Sequence, residues 1–316
     1  MSKVLRILVC TALILSFSVV AFPASEQIKI GSKNTADHVV LGKALFFYLK
    51  VHSLPVVDRT NLGDSMDLRR AILVGNIDLY FESLSTAWFN YFHKKSIETS
   101  PDYLYLQCKK IDEKNNLHWL PYAPANRTLA IVMKKFDCNR LNIHSISAWV
   151  RYISNRKSVA TIVLPKELQQ SKTLLDALVS QCVKKLNLKG DIPYRTLEVT
   201  HWLVPNLIGN GSYFSGMTFT SLGKIDCFEL ECLKDDVKFF PAYNLCPVAR
   251  EEILLRYPRL PFLLNMFSRK VTTDAMRRFD YLVSEKKEDP ERIAKAWLID
   301  KKLVSFEQAS EYFIEE

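Results

Sequence analysis

The sequence is poor in the residues that build metal sites, disulfide scaffolds and nucleotide-binding loops. It has 7 cysteines in 316 residues and no Cys-x-x-Cys pair, so neither a zinc ribbon nor a dithiol redox site is indicated. Its 9 glycines form no Gly-x-Gly-x-x-Gly fingerprint and no phosphate-binding loop, and neither Gly-x-Ser-x-Gly nor His-Glu-x-x-His occurs. The sequence therefore predicts a protein that is not an enzyme and that holds no cofactor and no metal ion.

Long apolar runs are absent from the sequence beyond the N-terminal segment. Lys3 and Arg6 precede an apolar run at residues 7–22, and the small residue Ala24 follows it. A basic start, a short apolar stretch and a small exit residue are the layout of a secretory signal peptide. We predict that residues 1–24 are this signal and that the mature chain is periplasmic, with an uncleaved N-terminal anchor as the alternative. The six later cysteines then form disulfides or stay as buried free thiols.

The excess of basic residues is not concentrated in any one part of the chain. There are 43 Lys and Arg against 34 Asp and Glu, and removal of Lys3 and Arg6 lowers the net charge from +9 to +7. A nucleic-acid surface needs its cations on one face, interleaved with stacking aromatics. The lysine doublets are instead spread along the sequence, so no nucleic-acid partner is expected. The 48% hydrophobic and 24% charged content is that of an ordinary globular protein.

Strand and helix patterns alternate along the chain. Apolar alternation predicts a strand at 27–31, and apolar positions over 40–49 then repeat at helical spacing. A short strand at 56–57, a helix capped by Ser65 and a strand at 77–81 follow. The later predictions are strands at 129–133 and 160–164, a strand carrying Cys227 and Cys232, and helices at 146–153, 174–186, 250–256, 272–282 and from Asp289. This order predicts an α/β fold with mostly parallel sheets flanked by helices.

Few residues stand where they could bind a ligand. Lys33 comes where the first predicted strand ends and a helix begins, so its charge adds to the free N–H groups of the helix. Such a lysine either holds a carboxylate or is simply solvated. The strand ending at 80–83 brings polar groups to the same carboxyl edge, where open α/β sheets bind ligands. The aromatic segment 239–244 lines a pocket or packs in a core, and the six histidines are isolated, without metal-ligand spacing.

Several short motifs occur in an order that resembles a known family. They are Ile-Gly-Ser-Lys-Asn at 30–34, Asn-Leu-Gly at 61–63, Gly-Asn-Ile-Asp-Leu-Tyr at 75–80, Thr-Ala-Trp at 86–88, Ala-Pro-Ala-Asn-Arg-Thr at 123–128, the segment 233–250 and the tail 289–303. Together they resemble the glycine betaine/carnitine/choline-binding proteins of osmoprotectant ABC importers, over residues 27 to 304. The resemblance is strong at both ends and weak from 137 to 210.

The resemblance implies a two-lobed periplasmic-binding-protein fold of type II that closes on its ligand by a hinge. Carried over to this sequence, lobe I comprises residues 25–124 and 234–316, and lobe II comprises residues 125–233. The implied partners are a small quaternary amine or related zwitterion and an ABC permease in the inner membrane. The protein itself is expected to be a monomer.

The resemblance also implies a set of ligand-binding residues. Family members hold a trimethylammonium group in a box of tyrosines, because aromatic faces replace water around a cation that cannot donate hydrogen bonds. In this chain Lys33, Thr86 and Tyr243 match family residues, whereas Leu222 replaces an aspartate and the family's second-lobe arginine has no clear counterpart. The predicted site is Lys33, His38 in place of a glutamine, Ser83 and Leu129 at tyrosine positions, Thr86, Thr128, Phe219 without the hydroxyl, and Tyr243.

Two functions follow from this partial match. The first is an exported solute-binding protein that delivers a small polar or zwitterionic solute to an ABC permease, with a specificity altered from that of glycine betaine. The second is an exported sensor or interaction module that keeps the fold and no longer binds betaine. Both functions are compatible with Ser83 and Leu129, which stand where two of the four expected aromatic rings are missing.

Overall fold

A computed structural model describes residues 27–156, 158–166 and 171–313, so the predicted signal peptide lies outside the described residues. The ten strands are β1 Ile28–Lys33, β2 Val56–Gly63, β3 Leu79–Ser83, β4 Leu117–Trp119, β5 Leu129–Lys134, β6 Ala160–Pro165, β7 Tyr194–Val199, β8 Ser215–Phe219, β9 Leu230–Cys232 and β10 Leu245–Arg250. They form two sheets of five strands each.

Helices connect and cover the two sheets. The α-helices are α1 Ala36–Val51, α2 Ser65–Leu73, α3 Leu84–Thr86, α4 Pro101–Asp112, α5 Lys135–Leu141, α6 Ile146–Ser154, α7 Ser171–Leu186, α8 Val204–Gly209, α9 Lys224–Cys227, α10 Glu251–Arg256, α11 Leu260–Ser268, α12 Thr273–Ser284, α13 Pro290–Asp300 and α14 Phe306–Phe313. A π-helical turn spans Ala87–Tyr91, and 3-10 turns span Glu113–Asn115 and His201–Leu203.

The two sheets share one topology. The first has the order β2-β1-β3-β10-β4, and the second has the order β7-β6-β8-β5-β9. In the first sheet β10 is antiparallel to both of its neighbours and the other pairs are parallel; in the second sheet β5 has the same role. Four strands of each sheet therefore run in one direction and one runs against them. The predicted α/β class with mostly parallel sheets is confirmed.

Each sheet has its own hydrophobic core. The first core combines β1, β3 and β10 with α1 and the C-terminal helices. The second combines β5, β6 and β8 with α6 and α7, and it includes Phe239 and Phe240. The apolar stripe of α6 is buried through Ile146, Trp149 and Ile153, which is the helical spacing that the sequence shows.

Two segments carry the chain between the sheets, and we call residues 120–128 and 233–244 the crossing segments. They are joined to each other by an antiparallel bridge between Asn126 and Asn244. Nearby, the Ala123 amide donates to Leu245 O at 2.7 Å, and the Arg127 amide donates to Tyr243 O at 3.3 Å. The two passages therefore form one short ribbon, where motion between the sheets would be concentrated.

A second contact between the sheets involves the loop that follows β8. The Gly223 amide donates to Asp280 Oδ2 at 2.7 Å, and Arg277 Nε donates to Thr220 O at 3.0 Å. A Cβ atom at Gly223 would lie 2.4 Å from the backbone nitrogen of Tyr281, so only glycine permits this approach. The loop of the second sheet thus rests directly on α12.

Some local predictions are wrong. The cap of α2 is Asp64 rather than Ser65, because the Asp64 carboxylate accepts the amides of Met66 and Asp67 and the Asp67 side chain accepts the Asp64 amide. Cys227 lies in α9 and not in a strand, whereas Cys232 does lie in β9. All six cysteines within the described residues are free, and the four buried ones are Cys108, Cys138, Cys182 and Cys246.

Candidate functional site

Lys33 and Glu82 meet at the carboxyl ends of β1 and β3. Lys33 Nζ forms an ion pair with Glu82 Oε1, and the two residues are 7% and 0% exposed. Glu82 Oε1 also accepts the Ser83 amide at 2.7 Å, and Glu82 Oε2 accepts the Tyr91 hydroxyl. The lysine predicted from the sequence is therefore matched by a fully buried and fully hydrogen-bonded carboxylate.

A deeper polar layer holds Tyr91 in place. Arg69 forms a bidentate ion pair with Asp112, with distances of 2.7 and 2.5 Å, and its guanidinium lies 5.0 Å from the centre of the Tyr91 ring. Trp119 Nε1 donates to Asp112 Oδ2 at 2.8 Å. Burial and the charge of Glu82 raise the pKa of Tyr91, so its hydroxyl stays protonated and available as a donor.

A second charged cluster forms around Arg127 on the first crossing segment. Its NH2 group lies 2.8 Å from Asp37 Oδ2, its NH1 group lies 3.0 Å from His38 Nδ1, and its Nε donates to Ser221 Oγ at 3.2 Å. Asp37 and His38 begin α1, whereas Ser221 follows β8. One side chain thus connects the first sheet, a crossing segment and the second sheet.

The charge states in this cluster are set by burial and by the guanidinium. Burial, reinforced by Arg127, lowers the pKa of His38 to about 4, so the imidazole is neutral near pH 7. Its Nδ1 therefore accepts a hydrogen bond, since Arg127 can only donate. Burial opposes ionisation of Asp37, but the charge of Arg127 outweighs it and holds the pKa of the carboxyl below its usual value.

Tyr243 lies on the second crossing segment beside the end of β3. The Leu84 amide donates to Asn244 O at 3.0 Å, and Ser85 Oγ donates to Ala242 O at 2.7 Å. These bonds place Tyr243 next to α3, the short helix that directly follows Ser83 and ends at Thr86. Ser83 is 3% exposed, and Tyr243 is half-buried.

The predicted residues of the second sheet form their own group. Leu129 and Phe219 are directly opposite each other in the antiparallel pairing of β5 with β8. Thr128 precedes Leu129, accepts the Thr220 amide at 2.9 Å through its carbonyl, and donates its hydroxyl to Pro241 O at 2.8 Å. The ring of His201 meets the Phe219 ring edge-on at 6.3 Å.

Two residues outside the predicted set contact predicted residues directly. Lys33 and Ser83 are joined by Glu82, and His38 is joined to the second sheet by Arg127. Both linking residues stand inside or beside recognisable motifs, Glu82 one residue before Ser83 and Arg127 within 123–128. Tyr91, Asp37 and Ser221 carried no signal in the sequence, because only the fold brings them to the site.

The candidate site contains two buried ion pairs, Lys33 with Glu82 and Arg127 with Asp37. Within the described ranges, no three or more His, Cys, Asp or Glu side chains are grouped closely enough to hold a metal ion. The carboxylate of each pair is buried, and the aromatic residues of the predicted set are Phe219 and Tyr243. No helix in the described part of the chain is both long and apolar enough to cross a membrane.

The chain is similar to several transport proteins. It is 25% identical over 274 residues to the ergothioneine transport permease/ergothioneine binding protein EgtU of Helicobacter pylori, covering 86% of this chain and 47% of that relative, so it spans about half the relative's length. It is 24% identical over 299 residues to the glycine-betaine-binding protein of Pseudomonas aeruginosa, covering 91% and 92%. It is 23% identical over 280 residues to the glycine betaine-binding protein YehZ of Escherichia coli, covering 88% and 92%.

Solved structures show the same fold. A glycine betaine/carnitine/choline ABC transporter protein superimposes with a TM-score of 0.77 at 17% identity, covering 88% of this chain and 99% of that chain. Ligand-free YehZ of Escherichia coli also gives 0.77, at 22% identity, covering 88% and 100%. The two sheets therefore correspond to the two lobes of a periplasmic binding protein, and the fold expected from the resemblance is confirmed.

A protein-family model covers most of the sequence. It describes the substrate-binding domain of the ABC-type glycine betaine transport system and matches residues 26–300. The match includes both sheets, both crossing segments and every residue of the candidate site. The chain therefore belongs to the family of substrate-binding domains of ABC-type glycine betaine transport systems.

Proposed function

We propose that this protein binds a small solute with a quaternary ammonium or a related zwitterionic group between its lobes and delivers it to an ABC permease. The observation that carries the proposal is the side chain of Arg127, which joins α1 of the first sheet to the loop after β8 of the second sheet. Lys33 ends β1, Phe219 ends β8, and the Arg127 amide bonds the carbonyl of Tyr243. Cations pair with a carboxylate, and aromatic faces attract an ammonium that cannot donate hydrogen bonds. The protein acts as a binding component and not as an enzyme.

We assign lobe I to residues 25–124 and 234–316 and lobe II to residues 125–233. Strands β1–β4 and β10 fall in the first range and β5–β9 in the second, which supports this division. The ligand then contacts Lys33, His38, Ser83 and Thr86 from lobe I and Thr128, Leu129 and Phe219 from lobe II, with Tyr243 on the returning crossing segment.

The solute is expected to differ from glycine betaine. Leu129 stands directly opposite Phe219 in the pairing of β5 with β8, and the helix that follows Ser83 bonds the backbone on both sides of Tyr243. Replacing two rings removes on the order of 1–4 kcal/mol of cation–π attraction, or about 5-fold to 1000-fold in affinity. A head group that needs fewer aromatic faces suits this site better.

Calorimetric titration with glycine betaine, carnitine, choline and ergothioneine, the solutes named for its relatives, tests the proposal. At least one of the other three should bind saturably and more tightly than glycine betaine, and it should raise the melting temperature, because a ligand stabilises the state that it binds. Binding of none of them would contradict the proposal and favour the sensor or interaction module. Tight binding of glycine betaine by the unmodified protein would contradict the altered specificity alone.

Restoring the two rings should strengthen glycine betaine binding. We expect the double variant Ser83→Tyr, Leu129→Tyr to gain on the order of 1–4 kcal/mol, because each new ring would adjoin Tyr243 or Phe219. The control Ser83→Leu adds volume without a π face and should gain nothing. Adding Tyr243→Ala to the double variant should remove the gain. A double variant that stays folded and binds no better than wild type would show that these positions line a differently shaped pocket.

We further propose that the protein is an exported, periplasmic monomer that works with an inner-membrane permease and does not bind nucleic acid. Its family membership supports the permease as a partner, and the basic and apolar start of the sequence supports export. The mass of the exported protein should correspond to a chain that begins between residues 22 and 27. A mature protein that retains Met1 would instead indicate an N-terminal anchor.

A further inference from the structure

Helix α11 is apolar on both its buried and its exposed face. Its inner face is buried through Leu260, Leu263, Leu264 and Phe267. On its outer face Phe262 is 67% exposed and Met266 is 38% exposed. A surface helix normally presents polar side chains to water, and a helix that is hydrophobic all round is normally covered on both sides. Within residues 27–156, 158–166 and 171–313, nothing covers the outer face of α11.

Cationic residues flank this outer face at both ends. Arg259, Phe262, Met266 and Arg269 follow one another at spacings of three, four and three residues, which places them in one stripe of the helix. Both arginines are exposed, and the exposed Lys270 extends the basic end. Residues 253–273 contain no Asp or Glu, so no acidic side chain of this segment offsets the charge.

We propose that the outer face of α11, defined as Arg259, Phe262, Met266, Arg269 and Lys270, docks on the surface of an anionic lipid bilayer. Basic side chains are attracted to anionic headgroups, and a Phe and a Met can enter the boundary between headgroups and acyl chains. The positive net charge of the chain favours the same partner. Such a contact keeps the protein close to the membrane in which the permease of its importer lies.

The size of the face favours a membrane over a second copy of the chain. A stable protein–protein interface buries about 800 Å² on each partner, which two exposed apolar side chains on a nine-residue helix do not supply. A symmetric contact would also bring two basic ends together. A lipid surface needs only a shallow apolar insertion and several cations, which this face offers.

Sedimentation with lipid vesicles tests the proposal on the mature chain without residues 1–24, because that basic and apolar segment would itself bind anionic vesicles. The wild-type protein should bind vesicles that contain phosphatidylglycerol, should bind phosphatidylcholine vesicles much more weakly, and should be released as salt rises. The variant Phe262→Ser, Met266→Ser should bind about tenfold more weakly or worse, because it loses the apolar insertion. A second variant, Arg259→Gln with Arg269→Gln, should lose binding and its salt dependence, and it leaves the core untouched if the first variant folds poorly.

A matched control is available on the other lobe. Phe136 is 71% exposed, and the Arg140 guanidinium lies 6.0 Å from the centre of its ring. The variant Phe136→Ser therefore also removes an exposed aromatic side chain beside an arginine, but from a different surface. It should leave vesicle binding unchanged. No binding by wild type, equal loss in the Phe136 control, or full binding by both α11 variants would overturn the proposal. Wild-type dimers on size exclusion that the α11 variants abolish would assign this face to a second copy instead.

Discussion

Lys33→Met is expected to abolish solute binding and to destabilise the protein at the same time. The lysine is the counter-ion of Glu82, which is 0% exposed, and it is also the residue proposed to hold the carboxylate of the solute. Removal of one partner from a buried ion pair costs about 3–5 kcal/mol, because the remaining charge is left without compensation. Urea unfolding measures the loss of stability, and calorimetry with the solute that wild type binds measures the loss of affinity.

A second variant separates the two roles of Lys33. Lys33→Met combined with Glu82→Gln removes the unpaired charge, and the glutamine can still bond the Tyr91 hydroxyl and the Ser83 amide. This double variant should recover much of the stability lost in Lys33→Met and none of the binding. If it recovered the binding as well, Lys33 would have only a structural role and the solute would be held elsewhere.

The sequence predicts the lobes better than the connections between them. Helices such as α6 and α12 have one clear apolar stripe, and α13 begins with the Asp289 cap and Pro290 in its first turn. The local sequence is therefore enough to predict these helices. Helix α11 was not predicted, because a helix that is apolar all round shows no helical period. The strand prediction extends too far at Cys227, because apolar and polar residues alternate over 228–232 as in a strand whereas β9 begins only at Leu230.

In the candidate site, too, the local sequence predicts some features and not others. Lys33 and Ser83 end neighbouring parallel strands, and two ends at one sheet edge follow from the β-α-β order alone. The pairing of Lys33 with Glu82 spans 49 positions, and the contact of Arg127 with His38 spans 89. The first contact lies within one sheet and depends on the side chains chosen at two strand ends, whereas the second depends on where the first crossing segment lies against α1, which no local pattern encodes.

Arg127→Met should destabilise the protein by about 3–5 kcal/mol near neutral pH, because Asp37 would remain buried without its guanidinium. Asp37 is 2% exposed, and its own pKa is held below the usual value by this neighbour. The variant also removes the only side chain in this cluster that reaches both α1 and Ser221. Arg127→Lys keeps the positive charge and should lose less, since a lysine pairs with Asp37 but cannot contact all three partners at once.

The pH dependence of stability shows whether Arg127→Met destabilises the protein by removing a charge or by removing packing. In wild type the pKa of His38 is lowered to about 4 from 6.5, so between these values the unfolded chain binds the proton and the folded chain does not. Stability is therefore expected to fall by on the order of 3 kcal/mol as the pH drops from about 6.5 to about 4. Below this range, protonation of Asp37 removes the remaining benefit of its ion pair.

Without the guanidinium, Asp37 becomes the counter-ion of a protonated His38, so the pKa of His38 should rise toward its ordinary value. Arg127→Met should then lose much less stability than wild type between pH 6.5 and 4, and the two unfolding curves should converge as the pH falls. Denaturant unfolding at several pH values measures this convergence. A constant difference in stability across the range would instead mean that Arg127 acts through packing and that its charge does not set the state of His38.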